Sequence, residues 1–182
     1  MNLLTKLDLI SKSTFEKVIT SKDVLDKNID EIKKEAKELA HFLHEKIGVY
    51  YTTSSYEAVM IRAKQQFNEN AKELCIGNVI PEMNHNELVG WSGGTNQFAA
   101  VFFDTQDLSI QNKRRFEVTI EEAKSWTDSV KVINAKGMNQ VEKSFYLIHV
   151  IDWASLYLAE LKNVDPVDIR AIDYLKNELS KL

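Results

Sequence analysis

Short β-branched and aromatic runs alternate with amphipathic helical periods, and this alternation restricts the fold more than any other feature of the sequence. Ile47–Thr52, Leu74–Val79, Phe98–Phe103 and Val130–Asn134 each read as a strand. Around them the apolar residues recur at helical steps. Ser21–Glu45 places Leu25, Ile29, Ile32, Ala36, Leu39, Ala40 and Leu43 on one face, opposite Lys, Glu and Asp. Thr53–Lys72 opens with Ser54 three residues before Glu57, the spacing of a capping box, and carries Tyr56, Val59, Met60, Ala63 and Phe67 as its stripe. Asn84–Trp91 reads as a short helix with Asn84 as N-cap, closed by a Ser92-Gly93-Gly94 loop. Ser109–Thr127 is a charged amphipathic helix. Asn139–Lys162 is a long one, with Val141, Phe145, Ile148, Ile151, Leu158 and Leu161 among its candidates for burial. Asp165-Pro166 predicts an N-cap and a first-position proline for a last helix that ends near Leu179.

Strands separated by helices pair in parallel, because each crossover carries the chain back to the starting edge. The expected fold is therefore α/β: a three-layer αβα sandwich around a mainly parallel, doubly wound sheet of about four to five strands. Gly and Pro together make only 8 of 182 residues (6 + 2), which favours long helices over a turn-rich all-β chain. No repeat or linker composition interrupts the pattern, so residues 1–182 are expected to form a single domain.

Charge and cysteine content narrow the functional classes. The net charge is −4, and the densest basic groups, Lys33–Lys34 and Lys113–Arg115, lie among acids or polar residues, which disfavours a nucleic-acid partner. Cys75 is alone, so neither an intramolecular disulfide nor a cysteine zinc site is available. Met1–Ile10 is interrupted by Lys6 and Asp8 and is too short to span a membrane. These features together point to a reducing cytoplasm.

Common catalytic motifs for phosphate loops, dinucleotides or zinc are absent. His41 and His44 stand three apart on the first long helix without a third ligand, and His149 sits in the apolar run FYLIHVIDW, where a satisfied imidazole is the ordinary reading. Arg62, Gln66 and Glu69 share a helix face opposite the apolar stripe, which spacing alone reads as solvated. His85 is different. It falls at the start of the Asn84-capped helix, just after a strand, where the positive helix end suits a neutral imidazole able to pass a proton. Glu82 and Glu87 flank it, Glu87 reading as a cap partner.

Glu69 within FNENAK, the stretch PEMNHNELVGW with His85, and the tail SLYLAELKNVDPVDIRAIDYLKNEL resemble the bifunctional phosphoglucose/phosphomannose isomerases of the sugar isomerase (SIS) superfamily. The resemblance runs from the first long helix to the end and is that of the C-terminal half. It implies aldose–ketose isomerisation of hexose 6-phosphates, between glucose or mannose 6-phosphate and fructose 6-phosphate, through a cis-enediol. Glu69 matches the base that moves the proton between the first two carbons. His85 matches the histidine that assists ring opening, reaching the site of a neighbouring subunit. Lys162 matches a substrate-facing lysine, and Ser155, seven residues earlier, a hydroxyl near the substrate. Alone, Lys162 reads as a helix C-terminal cation and Ser155 as a small packing residue. The chemistry requires no metal and no organic cofactor. A cation near the enediolate stabilises it, and Lys162 supplies part of that charge.

The resemblance also implies parts that this sequence does not carry. Family members have an N-terminal half with a Ser/Thr-rich phosphate loop of the SGNTEET kind and an arginine facing the reacting carbons; here the first arginine is Arg62. Thr52-Thr53-Ser54-Ser55 reads as the equivalent strand end of the C-terminal half, with Ser54 and Ser55 as secondary substrate contacts. Three expectations follow. The chain is half of an isomerase, its partner being an N-terminal half-enzyme or a second copy in a homodimer. Alternatively it is a non-catalytic SIS module that binds a phosphosugar or a partner chain. A purely structural role in dimerisation through the outer helices is the third.

Overall fold

The computed structural model describes residues 2–93 and 97–182, so Gly94 of the expected loop lies outside the described residues. The elements run α1 (Asn2–Lys6), α2 (Lys12–Leu43), β1 (Ile47–Thr53), α3 (Glu57–Asn70), β2 (Ile76–Ile80), α4 (Glu87–Gly90), β3 (Phe98–Asp104), α5 (Ile110–Trp126), β4 (Val130–Asn134), α6 (Gln140–Leu161) and α7 (Arg170–Leu179). Short 3-10 turns occupy Ser54–Tyr56, Glu82–His85 and Trp91–Gly93. The four strands form one sheet in the order β2-β1-β3-β4, and every pair is parallel. The α/β sandwich expected from the alternation is the fold observed.

Pairing in parallel explains why the central strands β1 and β3 are buried along nearly their whole length. Residues 48–53 of β1 are all buried, because helices cover both faces of the sheet. Tyr50, Val101 and Phe103 point into the layer built by α2, α3 and α6, with Ile32, Leu39, Phe67, Tyr146 and Val150 around them. Tyr50 stacks on Phe67 at 5.3 Å and on Phe103 at 6.1 Å. Val49, Tyr51 and Phe102 point the other way, against Phe116 and Ala123 of α5 and against Met83 and Trp91. Phe102 meets Tyr51 at 5.1 Å and Phe116 edge-on at 5.8 Å. The chain moves from β1 outward to β2 and from β3 outward to β4. The β1–β3 pair is therefore the point where the strand order reverses.

Several boundaries differ from those the sequence predicts. α2 begins at Lys12, capped by Ser11, whose Oγ accepts from Thr14 N at 3.0 Å; the apolar steps Phe15 and Val18 extend the periodicity upstream of Ser21. The Ser54 capping box does not form, since Ser54–Tyr56 is a 3-10 turn without a side-chain cap. Asn84 is not an N-cap. Its Nδ2 donates to Thr119 Oγ1 on α5 at 2.8 Å, and Asn86 caps α4 instead, accepting from Glu87 N at 2.6 Å. α7 starts at Arg170, not at Pro166; Asp165 Oδ1 accepts from Val167 N in a turn, and Asp168 Oδ1 accepts from Arg170 N. In α6 the buried apolar side chains are Tyr146, Leu147, Val150, Ile151, Ala154, Leu158 and Ala159, whereas Val141, Phe145 and Ile148 are half-buried and Leu161 is exposed. α6 packs against both α2 and α3, so its apolar surface is wide and its periodicity singles out no narrow stripe. Ser109 and Asn139, where the sequence starts two helical stretches, are the N-caps of α5 and α6.

Gly137 sits in the turn from β4 into α6 with φ of +139°, and a Cβ there would lie 2.6 Å from Glu142 Cβ. Only glycine lets this turn close onto the first turn of α6.

Phe67 is fully buried between Tyr50 and α6, so its truncation leaves a cavity in the larger core. Phe67→Ala is expected to lower unfolding stability by about 3–5 kcal/mol, read from denaturant or calorimetric unfolding. A loss under about 1 kcal/mol would contradict the packing described.

Candidate active site

A helix that returns the chain between parallel strands ends at the edge where the strands begin. α3 does this between β1 and β2, and α6, which follows the last strand β4, packs on α3. Their C-terminal ends therefore meet at the strand-N-terminal edge. Glu69 lies in the last turn of α3 and Lys162 is the C-cap of α6. Each helix is closed by a residue in the left-handed region, Lys72 (φ 52°) and Asn163 (φ 53°). After α6, Val164 N donates to Ala159 O and Asn163 N to Glu160 O, both at 3.0 Å.

The exposed Glu69 carboxylate lines an open cleft of about 890 Å³ between the end of α3 and the start of α7, together with Gln65, Asn68, Lys72, Asp168 and Arg170. Lys72 Nζ donates to Glu69 O at 2.5 Å. Lys162 Nζ donates to Lys72 O at 3.3 Å and forms an ion pair with Glu73. Glu69, Lys72, Glu73 and Lys162 are thus one connected group. Asp168 is held low, at about 2, by hydrogen bonds from the Arg170 side chain and backbone. Arg62 clasps Asp152 of α6 through Nε and Nη2 at 3.1 and 3.0 Å. That hydrogen bonding, ahead of the charges of Asp152 and Glu69, raises the guanidinium pKa. The face of Arg62 and Gln66 that spacing reads as solvated is in fact the polar seam between α3 and α6.

Ser155 is fully buried in that seam. Its Oγ donates to Asp152 O and accepts from Asn70 Nδ2, both at 2.8 Å, and it lines no cleft. The packing reading of this serine describes its surroundings. Asn70, inside FNENAK, and Asp152, inside FYLIHVIDW, were not singled out by the sequence; the Asn70–Ser155 and Arg62–Asp152 bonds across the two helices mark them.

His85 stands apart. β2 separates it from Glu69 in the chain, Glu69 preceding the strand and His85 following it, so the two lie at opposite edges of the sheet. The helix N-terminus expected beneath His85 is not there: the residue ends the Glu82–His85 turn, and the four-residue α4 begins after it. Its side chain is exposed. Glu87 is no cap partner. Its carboxylate accepts from Tyr51 Oη at 3.0 Å and Asn78 Nδ2 at 2.6 Å, while Trp91 Nε1 donates to Tyr51 Oη. Burial, with the nearby Glu87 charge, pushes the Tyr51 phenol well up.

Ser54 and Ser55 are exposed at the strand-C-terminal edge, beside the β1–β3 reversal point. They line a separate crevice of about 240 Å³ with Thr53, Asp107, Ser109 and Gln140. These serines and Glu69 of the same chain are at opposite edges. Among the described residues, no group of three or more His, Cys, Asp or Glu is placed to hold a metal, and no helix is long and apolar enough to cross a membrane.

Known proteins place this arrangement. Residues 32–179 match the family model of the bacterial phospho-glucose isomerase C-terminal SIS domain. The chain belongs to this family. It is 34% identical over 164 residues to the bifunctional phosphoglucose/phosphomannose isomerase of Aquifex aeolicus, covering 88% of this chain and 51% of that protein. With the enzyme of the same name from Thermoplasma acidophilum it shares 39% over 137 residues, 74% of this chain and 43% of that protein. The chain spans about half the length of the curated relatives it matches. Among solved structures, a glucose-6-phosphate isomerase like protein from Thermus thermophilus superposes with a TM-score of 0.64 at 25% identity, over 78% of this chain and 46% of that one. A putative phosphosugar isomerase from Clostridium difficile gives 0.66 at 15% identity, over 94% and 52%, and shares the fold.

The crevice at the reversal point offers a test of its own. Burial acts to raise the Asp107 carboxyl, but hydrogen bonds from Thr105 Oγ1 and Tyr56 Oη and the Lys143 ammonium outweigh it, and the pKa is lowered. A depressed folded pKa stabilises above the unfolded value, and the contribution disappears as pH falls through the folded one. Asp107→Asn is therefore expected to lower the melting temperature at pH 7 and to flatten its fall below pH 4. Parallel acid limbs in the two proteins would show Asp107 uncoupled from folding.

Proposed function

We propose that this chain supplies the C-terminal half of a hexose 6-phosphate isomerase site, interconverting glucose or mannose 6-phosphate with fructose 6-phosphate. The observation that carries this reading is the convergence of Glu69 and Lys162 at one helix-end edge, beside an open cleft. In the mechanism, the Glu69 carboxylate takes the proton from one carbon of the open-chain sugar and returns it to its neighbour. Charge develops on the carbonyl oxygen, where the Lys162 ammonium, released from Glu73, stabilises it, and the hydroxyl on the neighbouring carbon gives its proton to that oxygen as it becomes the new carbonyl. Proton transfer needs no cofactor.

The phosphate is the unsupplied part. At the edge that holds Glu69 the C-terminal ends of α3 and α6 carry partial negative charge, and the Arg170 guanidinium at the start of α7, which lines the same cleft, is already paired with Asp168. The capped starts of α5 and α6 lie at the other edge. The phosphate-binding groups beside Glu69 therefore come from an N-terminal half of the kind the longer relatives have room for. His85 belongs to a second site in the same way. Exposed at the far edge, it serves the Glu69 of a neighbouring subunit, opening the sugar ring there, and the working form is a homodimer in the cytoplasm. Residues 1–182 act as one SIS domain within it.

A non-catalytic SIS module that binds a phosphosugar or partner chain is the second reading. It is favoured by the Lys162–Glu73 ion pair, which occupies the lysine in the isolated chain.

The isolated chain is expected to show no measurable isomerisation of fructose 6-phosphate. Joined to the N-terminal half of the Aquifex aeolicus relative, it is expected to turn over, and Glu69→Gln to reduce kcat by at least about a thousandfold. A retained rate in Glu69→Gln would rule out Glu69 as the base. Mixing Glu69→Gln and His85→Ala chains in that active form tests the sharing of sites. Random hybrids hold one intact site in half of the dimers, giving about a quarter of wild-type activity. No recovery on mixing would place His85 in its own chain's site or outside catalysis.

A further inference from the structure

Asn70 follows Glu69 directly in the last turn of α3. Successive helical residues point about 100° apart, so the exposed Glu69 faces the cleft while the half-buried Asn70 turns toward α6. Its Nδ2 has two protons and uses both, donating to Ser155 Oγ at 2.8 Å and to Gln66 Oε1 at 3.0 Å. Ser155 in turn spends its own proton on Asp152 O, and the Asp152 carboxylate is clasped by Arg62. The seam is closed: Arg62, Gln66 and Asn70 on α3, Asp152 and Ser155 on α6. Ser155 is two helical turns from Lys162.

We infer that Asn70 is a positioning residue of the site, and that Ser155 acts through Asn70 and not on the substrate. The bond between them pins the last turn of α3 onto α6 and so fixes Glu69 relative to Lys162. This inference rests on the isomerase reading for its kinetic consequence, but the pin itself can be measured without turnover. The resemblance places the serine hydroxyl near the substrate. In this chain that hydroxyl has no exposed surface and no unused proton.

Hydrogen exchange on the isolated chain reads the pin. Ala71 N and Glu73 N both donate to Phe67 O, at 3.1 and 3.2 Å, and report the closure of that turn. Asn70→Ala and Ser155→Ala are each expected to speed their exchange by about tenfold, and the double substitution no further. Alanine is the better helix former, so a merely local effect of Asn70→Ala would slow exchange instead. Unchanged or slower exchange in either single variant overturns the inference, as does additive acceleration in the double. In the two-half enzyme, both single variants are expected to lower kcat about tenfold while KM stays within about twofold. A raised KM at unchanged kcat in Ser155→Ala alone would mean that Ser155 touches the substrate, and would also overturn it. A wild-type two-half enzyme without turnover would sink the isomerase reading, with the pin still decided by exchange.

Discussion

The parallel pairing of β1 with β3 at the centre of the sheet is the constraint on which the rest depends. Parallel strands cannot be joined by hairpins, so each connection must travel back along the sheet. That return places the helix C-termini at one edge, with the strand C-termini and helix N-termini at the other. Every candidate functional group inherits its position from this rule. Glu69 and Lys162, far apart in sequence, meet because both end returning helices on the same face. His85, much closer to Glu69 in sequence, is sent to the opposite edge because a strand lies between them.

The forces that hold the fold and those that set the site differ. The layer of α2, α3 and α6 over Tyr50, Val101 and Phe103 is apolar and fully buried, and one side chain such as Phe67 contributes several kcal/mol, on the order of 3–5. The Arg62–Asp152 pair is exposed to 43% and 34% at its side chains, so it adds at most about 1 kcal/mol. The Asn70–Ser155 bond is worth about as much. Such weak, directional contacts do not decide whether α3 and α6 pack. They decide in which register the two packed helices lie, and register is what a base and a cation on different helices require.

Most of the architecture was legible in the sequence, for physical reasons that also mark where legibility stopped. β1 and β3 were readable because strands buried on both faces carry β-branched and aromatic residues along their length. Asn84 was misread as a cap because its partner, Thr119, is on another helix, a contact that no local spacing encodes. The face of α6 was read only in part, Ile151 and Leu158 being buried and Leu161 exposed, because two helices cover it and its apolar residues do not confine themselves to one stripe. The candidate residues were legible through FNENAK and PEMNHNELVGW. Their division between two edges was not, since it depends on strand direction. The seam was invisible for a related reason: Arg62, Gln66 and Glu69 have the spacing of a solvated face, which Glu69 keeps, and only the approach of Asp152 and Ser155 draws Arg62 and the neighbouring Asn70 into a seam.

The same geometry bears on why half an enzyme would hold together as a fold and yet stay incomplete as a catalyst. Folding asks that both faces of the sheet be covered, and one set of returning helices does that. Isomerisation of a sugar phosphate asks for a base, a ring-opening proton carrier and an anion cradle at one point. One parallel sheet of this kind offers the base at its helix-C-terminal edge and the donor-rich helix starts at the other, separated by the length of the strands. The two sets of groups can act on one substrate only if edges from different sheets face each other. An open cleft beside Glu69 and an exposed His85 on the far side are what each chain presents to such a neighbour.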